Sequence, residues 1–189
     1  MAGNNIARVY AAALFDVARE ENIQEQIFEE LEFAAELFSA DEDFRLYMTS
    51  PSFSKDIKKN FIGKVFSGNL SEHIVNFIYV LIENGRQSEL PRISAVFGDL
   101  MNELKGRMKV EIVSVSKLDS EILENIKHVL KNKFNKDIIV DEKTDESILG
   151  GVIIKTGDVV IDGSLFENLK KIRYNLLNSK VRSEVAYED

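Results

Sequence analysis

Apolar residues recur at helical spacing through the first hundred positions and then change period. Over positions 6–21, Ile6, Tyr10, Ala13, Leu14 and Val17 fall on one side of a helix. Asn4 or Asn5 can cap its start. Ala7, Ala11, Ala12 and Ala18 are small enough to admit close neighbours. Asn22 breaks the pattern, and a second helix runs from about Ile23 to Phe38 on Ile27, Leu31, Ala34, Ala35 and Phe38. A short third helix covers Asp41 to Tyr47, with acids in the first turn where the helix dipole favours them. Thr49-Ser50-Pro51-Ser52 is a break, because the residue before proline avoids the α region. Ser54 caps a fourth helix to about Phe66, with Ile57, Phe61, Ile62 and Val65 apolar, and Ser67-Gly68-Asn69 is a turn.

The fifth helix, entered at Ser71-Glu72, is different. From Ile74 to Ile82 only Asn76 is strongly polar. A helix apolar all round must be covered all round. Either it is the centre of a bundle, or its own bundle covers one side and a partner helix the other. Asn84-Gly85-Arg86 ends it, with Gly85 suited to a left-handed cap. A sixth helix starts at Leu90-Pro91 and carries Ile93, Val96, Phe97, Leu100, Met101 and Leu104.

Near Lys105-Gly106-Arg107 the period becomes two. Val110, Ile112 and Ser114 alternate with Glu111, Val113 and Val115, as in a strand. Leu118-Asp119-Ser120 leads a helix to about Phe134, with Ile122, Ile126, Val129 and Leu130 on one face. A loop at Asn135-Lys136-Asp137 precedes a strand at Ile138-Ile139-Val140. Asp141-Glu142 and Asp145-Glu146 read as solvated loop. The stretch Glu146 to Ser164 then makes a β-hairpin, Val152-Ile153-Ile154 and Val159-Val160-Ile161 around Thr156-Gly157-Asp158. Ser164 and Glu167 have the spacing of a capping box, and the helix that follows carries Leu165, Leu169, Ile172 and Leu176. Periodicity ends at Ser179, so positions 179–189 are expected to fray. The fold class is mainly α with a small α+β part: a six-helix bundle over 1–105, then an α+β domain over 106–178 containing the β-hairpin.

Composition narrows the chemistry. The chain of 189 residues has no Cys, which removes disulfides and thiolates, and only 2 His, neither at ligand spacing, so no metal site is expected. No apolar run is long enough to span a membrane, and the start lacks a signal peptide's basic and apolar regions. Net charge is −8. The acids concentrate through Lys105, where 10 Lys and Arg face 17 Asp and Glu. Such a surface repels nucleic acid and anionic lipid and attracts a basic protein.

The remaining motifs are better read as structure. Lys155-Thr156 lacks the glycine a phosphate-binding loop places before its lysine, and Gly63-Lys64-Val65 lacks the hydroxyl. Gly150-Gly151 precedes a strand, the wrong order for a dinucleotide site. His73 and His128 read as surface or packing residues, and Asp41-Glu42-Asp43 as a helix start. No cofactor and no catalytic residue is expected.

The residues resemble a known family. Ile138 and Val140 lead to Thr144-Asp145, Ile148, Gly150-Gly151-Val-Ile-Ile-Lys155 and Gly157, continuing through Asp162-Gly-Ser164. Ala7-Arg8-Val-Tyr10-Ala-x-Ala13-Leu-Phe15, and Glu83-Asn84-Gly85-Arg86 followed by Leu90-Pro91, add two further marks. Together these resemble the delta subunit of bacterial-type F-type ATP synthases, which is similar to the mitochondrial oligomycin-sensitivity-conferring subunit. The resemblance covers essentially the whole chain.

It implies a non-catalytic stator at the top of the peripheral stalk, holding the F1 catalytic hexamer still against rotary torque during proton-coupled ATP synthesis. It implies that the helical domain binds the N-terminal amphipathic segment of an alpha subunit. The second domain would bind the C-terminal helices of b-type stalk subunits. One copy per complex is implied, at the cytoplasmic face of the bacterial plasma membrane, without direct insertion. The family's partner groove lies between the first and fifth helices, so Tyr10, Ala13, Phe77 and Val80 are the candidate contacts. Two other readings stay open on the residues alone: a scaffold of the same fold for some other amphipathic helix, or a small enzyme with an unrecognised acid pair.

Overall fold

The computed structural model describes the backbone of residues 2–66, 68–157 and 159–184, and side chains within 5–178 of that range. The chain divides into two compact units, Met1–Leu104 and Lys105–Asp189.

Among the described residues unit 1 is built from six α-helices. They are α1 (Ala2–Glu21), α2 (Gln24–Ala40), α3 (Glu42–Thr49), α4 (Lys55–Val65), α5 (Glu72–Glu83) and α6 (Leu90–Leu104), the last entered through a 3-10 turn at Gln87–Glu89. Their buried faces form one core. Small residues do what their size allows: Ala7, Ala11 and Ala18 are fully buried on α1. Phe97 of α6 meets Phe15 edge-on at 5.3 Å and stacks on Phe28 at 6.1 Å, joining α6 to α1 and α2.

The caps follow the sequence in part. Asp41 accepts from the Phe44 amide at 2.9 Å and Ser54 from the Ile57 amide at 3.4 Å. Asn4 and Asn5 do not cap α1, because the helix already begins at Ala2 and holds both inside it. Ser71 starts α5 without capping it: its hydroxyl and amide both donate to Glu30 of α2 instead. Asn84-Gly85-Arg86 forms a Schellman ending, with the Gly85 amide on Ile82 O at 3.1 Å and the Arg86 amide on Leu81 O at 2.7 Å.

Unit 2 holds β1 (Arg107–Ser114), α7 (Ser120–Phe134), β2 (Asp137–Thr144), β3 (Val152–Thr156), β4 (Val159–Asp162) and α8 (Leu165–Glu184). The sheet order is β2-β1-β3-β4. β1 and β2 run parallel across α7, while β1–β3 and β3–β4 are antiparallel. Met108, Val110, Ile112, Ile138, Val140, Val152 and Ile154 pack with α7 through Leu130 and Ile126.

Three details depart from the sequence reading. The strand after α7 does not stop at Val140: Asp141 and Glu142 lie within β2, because β1 pairs with it as far as Ser114↔Thr144. Backbone pairing overrides their poor strand propensity, and charges on an edge strand discourage stray pairing. The capping box closes by half. Ser164 Oγ accepts the Glu167 amide at 3.2 Å, but the Ser164 amide goes to Asp162 at 2.8 Å, and Glu167 pairs with Lys170. α8 carries past Ser179 to Glu184, since no Gly or Pro interrupts the backbone ladder when the apolar rhythm ends. Ser67, Asp158 and positions 185–189, parts of two turns and of the tail, lie outside the described residues.

Candidate functional site

α1 shows two apolar sides, and only one is used inside unit 1. Ala7, Ala11, Leu14, Phe15 and Ala18 are buried. Val17, assigned to the core from its spacing, is instead 44% exposed, and Val9 is 68% exposed. With Ala13 they make an outward line at i, i+4, i+8. The buried alanines draw α1 inward along a neighbouring strip, leaving this line outside.

α5 divides the same way. Ile74, Ile78, Leu81 and Ile82 are buried, whereas Val75, Phe77 and Tyr79 are half-buried and Val80 is 48% exposed. Its near-uniform apolar sequence therefore serves one core face and one open face.

The two open faces adjoin at Tyr10 and Phe77, whose rings meet edge-on at 6.4 Å and 72°. Of the four candidate contacts, Tyr10 and Phe77 are half-buried and joined, and Ala13 and Val80 are exposed, each three residues further along its helix. Val9 and Val17 belong to the same surface. The signal that could have found them is the i, i+4, i+8 line itself, once Ala7, Ala11 and Ala18 had been given the core.

Polar contacts pin the ends of α5 rather than its middle. His73 Nε2 lies 3.2 Å from the Glu21 carboxylate at the end of α1. Burial raises the Glu30 carboxyl, but hydrogen bonds from Ser71 and Gln26, with the nearby His73, outweigh it and hold it below the ordinary value. At the other end Glu83 takes Lys59 and, more weakly, Lys55, and the Lys59 contact chiefly lowers its pKa. Lys55 also donates to the Glu83 carbonyl at 2.7 Å. Hydrogen bonds and ion pairs thus hold the two ends of α5, while its exposed side between them stays apolar.

The motifs weighed for chemistry have structural work. Lys155 is tied to Glu111 at 3.0 Å, and Thr156 donates to Lys109 O at 3.3 Å. Glu111 also binds Lys143, and the two lysines, Lys143 first, lower its pKa. Gly63 is inside α4, where a Cβ would meet Tyr79 Oη at 2.8 Å. His128 contacts Asn132 at 3.4 Å. No group of His, Cys, Asp and Glu among the described residues could hold a metal, and no helix among them is long and apolar enough to cross a membrane.

In unit 2 the apolar face of α7 is only partly used. Leu130 is buried, but Ile122 and Val129 are 47% and 62% exposed. With Ile126 and Ile154 they line an open trough of about 300 Å³.

A family model described as ATP synthase delta (OSCP) subunit matches residues 6–176. ATP synthase subunit delta of Nitrosococcus oceani is 35% identical over 173 residues, 92% of this chain and 97% of that protein. The protein of the same name from Bacillus mycoides is 34% identical over 181 residues, 95% of this chain and 100% of its own. In a cryo-EM structure of the Toxoplasma gondii mitochondrial ATP synthase hexamer, one chain matches with a TM-score of 0.69 at 24% identity. The match covers 90% of this chain and 97% of that one, a likeness of fold.

Proposed function

Because the chain belongs to the ATP synthase delta (OSCP) subunit family, and so is a non-catalytic peripheral-stalk subunit, we propose how its two units divide the stator's work. Unit 1 acts as a single six-helix bundle and takes the N-terminal amphipathic segment of an alpha subunit into the α1–α5 groove. Tyr10 and Phe77 form the floor, and Ala13 and Val80 the rims. Unit 2 takes the C-terminal helices of b-type stalk subunits. One copy then couples the F1 hexamer to the stalk at the cytoplasmic face of a bacterial plasma membrane. It resists rotary torque during proton-coupled ATP synthesis. Such a part needs stiffness and surface, not a reactive group.

The observation that carries the alpha assignment is the pair of helices that each bury one apolar face and leave a second open, meeting at Tyr10–Phe77. A surface of this kind fits a helix with its own apolar strip. Titration of the full chain with a synthetic alpha N-terminal peptide tests it. Ala13→Asp places a carboxylate on the rim, where docking would desolvate it. Affinity is expected to fall about tenfold or more, since an unpaired buried charge costs over ~1.4 kcal/mol. The helical circular dichroism should be unchanged, because Ala13 is exposed. Equal affinity for the variant would place the alpha segment elsewhere.

A further inference from the structure

α8 is joined to its unit by little more than its first turn. The Leu165 amide donates to Gly150 O at 2.9 Å, and Ser164 caps the helix. From Asn168 to Asn178 every residue is exposed. A helix of 20 residues extends about 30 Å, so most of its length has no cover from unit 2 among the described residues.

Its sequence is not that of a solvent helix. Leu165, Leu169 and Ile172 stand 4 and 3 residues apart, and Leu176 continues the spacing by another 4. That is the d-a-d-a rhythm of a coiled-coil seam. Leu165, Leu169 and Ile172 are 52%, 60% and 55% exposed. In this register the e positions beside the seam are Phe166 and Arg173, and the g positions are Asn168 and Asn175. None is acidic. α8 as a whole carries five bases and two acids, within a chain of net charge −8.

We propose that the Leu165–Leu169–Ile172–Leu176 seam of α8 is a coiled-coil docking strip for one partner helix with apolar residues at heptad spacing and Asp or Glu beside them. The flanks choose among occupants. A second copy would bring like charges together, because its own flanks hold Arg173 and no acid on a helix with an excess of bases. A lipid surface calls for a broad apolar face. Here the seam is narrow, and Arg173 interrupts the apolar surface between Phe166 and Leu177. The proposal rests on the reading that unit 2 receives the stalk, and it names the strip and the charge pattern by which a b-type helix would be held.

The test titrates the full chain with a peptide of the b-type subunit's C-terminal region. Wild-type protein should bind. Ile172→Asp should lower affinity at least about 50-fold, while Ile172→Leu changes it less than about 3-fold. Arg173→Glu should weaken binding several-fold, and a Glu→Lys change at the facing peptide position should restore it. Circular dichroism, with amide-exchange protection in β1 and β3, reports that unit 2 of each variant is folded.

If wild type binds and Ile172→Asp binds equally well, the strip is not the site, and the stalk reading of unit 2 stands. If wild type fails to bind the stalk peptide, that reading falls and the proposal with it. Two other arms also overturn it. One is binding of the wild type, lost in Ile172→Asp, to vesicles of anionic phospholipid without peptide binding. The other is sedimentation as a dimer that Ile172→Asp dissociates.

Discussion

Gly85 and Gly151 both have positive φ, at 63° and 82°, but for different ends. Around Gly85 a Cβ would meet nothing within 4 Å, so only the left-handed backbone of the Schellman cap requires glycine there. At Gly151 a Cβ would lie 2.4 Å from Gly163 O and 3.0 Å from Ser164 Cα. There glycine lets the end of β4 and the cap of α8 close against the start of β3, through the Gly163 amide on Val152 O at 2.9 Å. Gly85→Ala is therefore expected to cost about 1 kcal/mol. Gly151→Ala should cost distinctly more, about 3 kcal/mol, because backbone must move as well. Urea unfolding of both variants checks the order, and the reverse order would refute the steric account. Gly85 was readable as a cap because cap chemistry is local. Close packing was readable for Gly151 as well, but not the backbone it packs against, since that neighbour lies twelve positions further along.

Helix α5 shows what periodicity can and cannot say at the scale of an element. The run Ile74 to Ile82 announced that the helix needs cover on more than one side, and within unit 1 it finds cover on one: Ile78 is buried, and Val80 is open. Which residues take which side depends on how the other helices approach, and that is where Val17 was misplaced. The two faces should separate experimentally. Ile78→Ala is expected to destabilise unit 1 by about 2–4 kcal/mol, through lost burial and the cavity left behind. Val80→Ala should change stability by less than about 0.5 kcal/mol yet weaken the alpha peptide measurably. Chemical unfolding beside peptide titration reads both, and a Val80 variant as unstable as the Ile78 variant would mean the open face is core. β2 makes the complementary point: Asp141 and Glu142 look like loop, and only the long-range register with β1 makes them strand.

At the scale of the molecule, two units each have their own hydrophobic cluster, one built on α1–α6 and one on β1, α7 and their neighbours. The change of period near Lys105 made that division legible, because a switch from 3.6 to 2 is visible in any short window. The proposed division of partners is not legible from pattern, since a surface acquires meaning only against what docks on it. Partners that dock as proposed on two separate cores need no shared two-state element, so neither is expected to alter the affinity for the other. The dissociation constant of the alpha peptide is thus expected to stay within about twofold when the stalk peptide is saturating, a coupling below ~0.5 kcal/mol. Calorimetric titration in both orders measures it. A shift of tenfold or more, equal in the two orders as linkage requires, would mean that occupation of unit 2 is felt in the α1–α5 groove and that the stator transmits more than force.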